Sequence, residues 1–254
     1  MGKYFNVTVK PTISVAALNA GNIGNAEILF DWHGFDIPKG AARLTGMTIL
    51  YSGKNGADYS PQDFELFWAK GNPDKTAPIT LGDDGAVVDT FGWFNNIIGK
   101  TYIDNTESND GDLSVGNVIS VDSITGGSAG ANQISQSNAL VLQGEPDSGT
   151  NVGFDKLYVS AIAKANHNWG PSTMTVDGTM VTTSPTLTVA DLDALKAVGP
   201  GDILKDEDDN LFGTVRKVDS ATQITLENNL ASASANDKLV FNTTPITLIL
   251  SFEK

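Results

Sequence analysis

The sequence predicts an all-β protein, and three observations carry that expectation. Apolar and polar residues alternate with period two in stretches spread along the whole chain, the pattern of strands with one buried face. Clusters of Gly, Pro, Asn and Asp separate those stretches, as in IPKGAA, YSGKNGAD, KGNPDKTAP, LGDDGA and QGEPDSGTN. Helical periodicity is confined to two short segments.

Taken in order, KYFNVTVKP places Phe5, Val7 and Val9 on one face and Asn6, Thr8 and Lys10 on the other. DFELFW aligns Phe64, Leu66 and Trp68. In DTFGWFNNIIGKT the spacing predicts a helix, capped by Asp89 or Thr90, with Phe91, Phe94 and Ile97 or Ile98 on one side and Gly99 as the stop. Residues 105–137 are small and polar and read as long surface loops, broken by one strand over Val118–Ile124. KLYVSAIA aligns Leu157, Val159 and Ala161. TVADLDALKAVGPG predicts a second short helix, with Thr188 and Asp191 as a variant capping box, a Val189–Leu192–Leu195 stripe and Gly199-Pro200 as its end. TPITLILSFE sets Ile246, Leu248, Leu250 and Phe252 on one side.

Two stretches read as linkers, HNWGPSTM (167–174) and FNTTPITL (241–248). Between them lie several short strands around one small helix, the pattern of a small β-barrel. A single strand remains at the end, and one strand cannot form a domain. It must pair into the first sheet, beside Phe5–Val9 or Leu157–Ala163. The expected organisation is therefore a discontinuous antiparallel β-sandwich of jelly-roll-like type, residues 1–172 plus 244–254, with a small β-barrel at 173–243 inserted into one of its loops.

The 254 residues carry 16 Lys and Arg against 30 Asp and Glu, a net charge of −14. That balance opposes phosphate-backbone binding and anionic membrane surfaces, so neither nucleic acid nor membrane is expected as a partner. The chain has no cysteine, which excludes disulfides, thiolate chemistry and zinc–sulfur sites. No signal peptide is expected from MGKYFNVTVK, and Asn6 stands where a myristoylation motif needs Ser or Thr.

Four patterns invite a chemical reading. The acidic run Asp206-Glu207-Asp208-Asp209-Asn210 offers calcium-type oxygens at alternate positions, but Leu211 replaces the glycine of an EF-hand loop and Lys217 its bidentate Glu. A hairpin tip is the expected structure. Gly126-Gly127-Ser128-Ala129-Gly130 matches a nucleophile-elbow pattern, with His167 and Asp155 downstream, yet no amphipathic helix follows Ser128. Gly99-Lys100-Thr101 lacks the first glycine of a phosphate loop, because Phe94 occupies that position. His33 and His167 are the only histidines, with no metal-ligand spacing between them. No catalytic residue, cofactor or metal site is expected. Trp32, Phe35, Trp93, Phe94 and Trp169 are the candidate interface residues.

The segment GTMVTTSPTLTVADLDALKAVGPGDILKDEDDNLFGTVRKVDSATQITLENNL resembles a small β module found in structural proteins of tailed bacteriophages. FDIPKGAARLTGMTIL, DFELFWAKG and LVLQGEPDSGTNVGFDKLYVSAIAK resemble virion structural proteins of marine phages. The resemblance implies a non-enzymatic virion component, a capsid decoration protein that stabilises the outer shell. Its implied partners are the major capsid protein or other virion proteins and further copies of itself, after synthesis in the host cytoplasm. The competing expectation is a receptor- or glycan-binding module on the tail or head surface, using Trp93 or Trp169 as an aromatic platform.

Overall fold

The protein is described by a computed structural model over residues 4–38, 41–52, 62–74, 76–104, 110–113, 116–122, 141–143, 154–167, 174–190 and 197–254. It is mostly β-structure, and all strand pairs among the described residues are antiparallel. The elements are β1 (Tyr4–Val9), α1 (Val15–Asn19), β2 (Ile28–Pro38), β3 (Ala41–Ser52), β4 (Phe64–Lys70), β5 (Ile97–Ile103), β6 (Asp110–Leu113), β7 (Gly116–Asp122), β8 (Val141–Gln143) and β9 (Phe154–Ala163). They continue with β10 (Thr186–Thr188), β11 (Ile203–Asp206), β12 (Leu211–Ser220), β13 (Gln223–Leu226), β14 (Val240–Asn242) and β15 (Ile246–Glu253).

Among the described residues these strands form three sheets. The first has the order β1-β15-β3-β7-β6, with β8 also pairing β3. The second runs β2-β9-β4-β5 and the third β10-β13-β12-β11-β14. The final strand β15 lies between β1 and β3. Of the two expected neighbours it has Phe5–Val9, whereas Leu157–Ala163 belongs to the second sheet. Its alternation is strict: Ile246, Leu248, Leu250 and Phe252 are all fully buried.

The first two sheets share one core. Leu44, Ile49, Leu248 and Phe252 of the first meet Phe64, Leu66, Trp68 and Val159 of the second in a single apolar cluster. Tyr51 and Phe64 make an edge-on contact from sheet to sheet at 5.9 Å. The third sheet has a separate core that includes Met174, Val189, Leu204, Phe212, Ile224 and Val240. Its outer strands both bond to the chain around Val176. Val240 N donates to Met174 O and Val176 N to Lys238 O on one side. On the other, Asp177 N donates to Thr188 O and Ala190 N to Thr175 O.

Two expectations about the connections need correction. His167, at the start of the first supposed linker, is fully buried and exchanges two backbone hydrogen bonds with Ile23, each 2.8 Å. The second, around Phe241–Thr244, is buried as well. Thr243 accepts from Ile13 N and donates to Ile203 O, tying the first sheet's chain to the third sheet's. Asp202 stands at the centre of this junction. Its carboxylate accepts from Lys10 Nζ (2.7 Å), Asn242 Nδ2 (2.8 Å) and Gly199 N (2.8 Å). Asn242 in turn accepts from Thr244 N, and Thr244 Oγ1 accepts from Ile203 N.

The expected helix over residues 89–99 is also corrected. Only a 3-10 turn forms, at Phe94–Asn96, and the chain is extended from Ile97 into β5. Two causes are visible. The β-branched pair Ile97-Ile98 favours a strand. Asn96 Nδ2 donates to Lys70 O and Asn72 Oδ1, both 3.0 Å, which pins the turn to the end of β4. In the other helix segment, Thr188 ends β10 and Val189 bridges Val176, while Asp191, Leu192 and Leu195 lie outside the described residues. A short helix not expected from the sequence, α1, is capped by Ser14, whose Oγ accepts from Ala17 N.

Replacing Asp202 with Ala removes three accepted hydrogen bonds from a nearly buried position and leaves Lys10 and Asn242 without that acceptor. The expected loss is about 2–4 kcal/mol in urea unfolding. A loss below about 0.5 kcal/mol, the range of ordinary surface changes, would show that the junction does not depend on it.

Candidate interaction surface

Several groups with chemical potential are engaged in structural contacts. In the acidic run, Asp206 closes the β11–β12 hairpin. Its Oδ1 accepts from Asp208 N (3.0 Å) and Asn210 N (2.8 Å), and its Oδ2 from Asn210 Nδ2 (3.0 Å). Asp209 takes the left-handed conformation at φ 66° that such a tip needs and that Asp tolerates. The remaining charges pair with lysines: Lys238 with Glu207 and Asp208, Lys205 with Asp209. Among the described residues, no group of three or more His, Asp or Glu side chains could hold a metal ion.

Gly99, Lys100 and Thr101 lie in β5. Thr101 Oγ1 accepts from the buried Trp68 indole at 3.0 Å, and Lys100 bonds Glu65 at 2.8 Å. Burial alone would push the Glu65 carboxyl up. Hydrogen bonds from Lys100 and Lys164 outweigh that and hold it below its usual range. Residues 126–130, including Ser128, lie outside the described residues.

His33 sits half-buried on β2 opposite Val159, and burial lowers its pKa. His167 lies beyond the end of β9, stacked edge-on against Phe64 at 6.0 Å, with Nε2 3.2 Å from Asp63 O. Burial depresses its pKa to about 4, although Asp63 works in the opposite direction.

The candidate interface residues separate into three groups. Phe35 is a core residue, edge-on to Trp68 at 6.2 Å. Trp32 and Trp93 lie on the outer side of the second sheet, where Trp93 packs with Ile28 and Leu81 in a small third cluster. Trp93 is only 5 % exposed, whereas Phe94 is 63 % exposed. Trp169 lies outside the described residues. Three residues not singled out as interface candidates join Phe94 at the surface: Phe91 (77 % exposed), Val87 (62 %) and Ile79 (52 %). The helical spacing predicts Phe91 on a buried stripe, and its exposure follows from the failure of that helix to form. Ile79 and Val87 carry no local signal that separates them from core residues.

The segment bearing these side chains is held by named contacts. Asp31 Oδ1 accepts from Leu81 N at 2.9 Å. Asp84 accepts from Ser14 N (2.7 Å) and Asp31 N (3.2 Å). Burial raises the Asp84 pKa, and those two donors only partly oppose it. Ile28 exchanges backbone bonds with Gly85 and Ala86 around a turn in which Gly85 takes φ 81°. The Trp32 indole donates to Ile79 O at 2.9 Å, and the Trp93 indole to Thr90 O at 2.7 Å. Rings then stack outward: Trp93 lies 6.2 Å from Phe67, 6.1 Å from Trp32 and 5.4 Å from Phe94, with Phe91 6.2 Å beyond Phe94. The arrangement is an apolar surface on a fixed aromatic base. It can bind by burial of apolar area.

No protein-family model matches the chain, and no curated protein matches it.

The layered arrangement makes a contrast measurable. Trp93→Ala should cost about 3 kcal/mol, because it empties the base of the stack. The double variant Phe91→Ser/Phe94→Ser should stay within about 0.5 kcal/mol of the parent. Equal losses in thermal or urea unfolding would contradict the layering.

His167 sets a pH dependence. An unfolded histidine protonates near its ordinary pKa of about 6.5, whereas His167 stays neutral down to about 4. The unfolded chain then binds the extra proton, so this contribution to stability is complete above about pH 6.5 and is lost as the pH falls toward 4. The full loss is on the order of 3 kcal/mol. The stability difference between parent and His167→Gln should shrink on going from about pH 7 to about pH 4.5. A pH-independent difference would refute the assignment.

Proposed function

We propose that this chain is a non-enzymatic structural component of a tailed-phage particle, a capsid decoration protein that binds the outer shell through surfaces of its larger β-unit. The observation that carries this reading is the apolar surface around Phe91 and Phe94, fixed on a rigid β-scaffold. Several side chains that could do chemistry, among them His167, Asp206, Lys100 and Thr101, are engaged in packing, turn or strand contacts. The resemblance of the 173–243 segment and of the flanking phrases to phage structural proteins supports the same reading.

In this reading the two sheets that share a core form a β-sandwich, and the third sheet is an inserted small barrel closed by the chain around Val176. The larger unit attaches, and the inserted one faces outward. Many copies on a lattice would add up to strong attachment even where each contact is modest.

The deciding experiment is cryo-electron microscopy of particles of the phage encoding the chain, with copy number measured by mass spectrometry. Hundreds of copies at icosahedral positions support decoration. A handful at the tail would overturn it in favour of a receptor- or glycan-binding role, and absence from the particle would overturn the virion reading altogether.

A further inference from the structure

We infer that Ile79, Phe91 and Phe94 form the docking face of this protein, with the exposed Val87 in the same stretch of chain, and that its partner is a protein surface with an apolar pocket ringed by Lys or Arg side chains. The inference rests on the particle reading and names the contact through which it would operate.

Clustering is the first argument. Large exposed apolar side chains scattered singly need no explanation, but four of those among the described residues fall within residues 79–94. Rigidity is the second. Gly92 sits so close to Ile79 that an added Cβ would lie 2.5 Å from Ile79 Cδ1, so the turn carrying Phe91 is pressed onto its neighbour. Phe94 also rests on the buried Trp93 ring at 5.4 Å and Phe91 on Phe94 at 6.2 Å, so the two phenylalanines are packed on the surface beneath them before any partner arrives. Side chains already packed lose less freedom on association.

The chemistry of the face then selects the partner. Both indole N–H groups are bonded inward, to Ile79 O and Thr90 O, and the phenylalanine rings carry no polar atom. A glycan is oriented by directional polar groups, and on this face only the rim carboxylates could supply them, since the two indoles point inward and the apolar side chains have none. An apolar protein pocket needs only shape and area. Charge narrows the choice further. Residues 79–99 hold Asp83, Asp84 and Asp89 and no Lys or Arg; Lys100, which follows, is paired with Glu65, and Asp84 is taken up by Ser14 N and Asp31 N. Asp83 and Asp89 are exposed. A second copy of this chain would bring like charges to the same rim, on a molecule of net charge −14. A basic rim is complementary to it.

The test uses the full chain and purified shells of the encoding phage that lack it, with binding followed by co-sedimentation. Phe91→Ser/Phe94→Ser should weaken binding by at least about 30-fold, as expected for paired aromatic anchors. Asp83→Lys/Asp89→Lys should weaken it by about 5–10-fold and flatten its dependence on salt. Tyr4→Ser, at an exposed aromatic of β1 remote in sequence from the face, should leave it unchanged. Circular dichroism melts establish that each variant is folded. If the phenylalanine variant binds like the parent, the docking face is wrong while the particle reading stands. If the parent itself does not bind, the particle reading fails and the inferred contact falls with it. Loss of a glycan-array signal in the phenylalanine variant, or conversion of a dimer to a monomer in sedimentation, would overturn the protein-pocket assignment in favour of a sugar or of a second copy.

Discussion

A carboxylate almost out of water, with three donors converging on it, holds this molecule's parts in register. Asp202 accepts from Lys10, which follows β1, from Asn242 at the end of β14, and from the backbone of Gly199 ahead of β11. Lys10 and Asn242 come from distant parts of the sequence and follow or end strands of two different sheets. A charge in such a place is tolerable only when its acceptor sites are filled, which permits few relative positions of the three segments. Directional groups of this kind contribute more to the uniqueness of an arrangement than to its net stability. The apolar clusters on either side supply the bulk of the driving force, but apolar contact is non-directional and would accept many docking angles.

Acidic residues serve the fold in the same way elsewhere. Asp206 accepts from the backbone of its own hairpin, Asp84 from the start of α1 and from β2, and Asp31 from Leu81. Each replaces backbone hydrogen bonds that turns leave unmade. Part of the chain's large negative charge is thus an account of its turns. The exposed remainder, such as Asp83 and Asp89, is free to shape encounters with other molecules.

Strands were the legible part of the sequence, because alternation records burial directly. Phe64, Leu66 and Trp68 sit where their spacing puts them, and so does the whole inward face of β15. The hairpin at Asp206–Asn210 was legible from missing calcium-loop residues. What could not be read was the outcome of competition between local and distant forces. Phe91, Phe94 and Ile97 have helical spacing, yet the side chain of Asn96 reaches β4 and fixes one short turn instead. The same decision reversed the order of the aromatics. Trp93, the more obvious platform, became the foundation, and the phenylalanines beside it became the surface. Which aromatic in a cluster faces water depends on partners far away in sequence, and Phe67 and Trp32 are such partners.

Strand β14 ties the two cores together through adjacent side chains. Its neighbouring residues Val240 and Phe241 point into different cores, the first into the smaller and the second into the larger. Cutting out the segment between residues 173 and 243 would therefore leave a phenylalanine-sized hole in the remainder, and the excised piece would carry a bare ring on its surface. The strand that carries Val240 and Phe241 serves both cores at once. Transplanting the strands around the smaller core to another protein would therefore require redesigning β14, whose Phe241 would lose the apolar neighbours it packs against here.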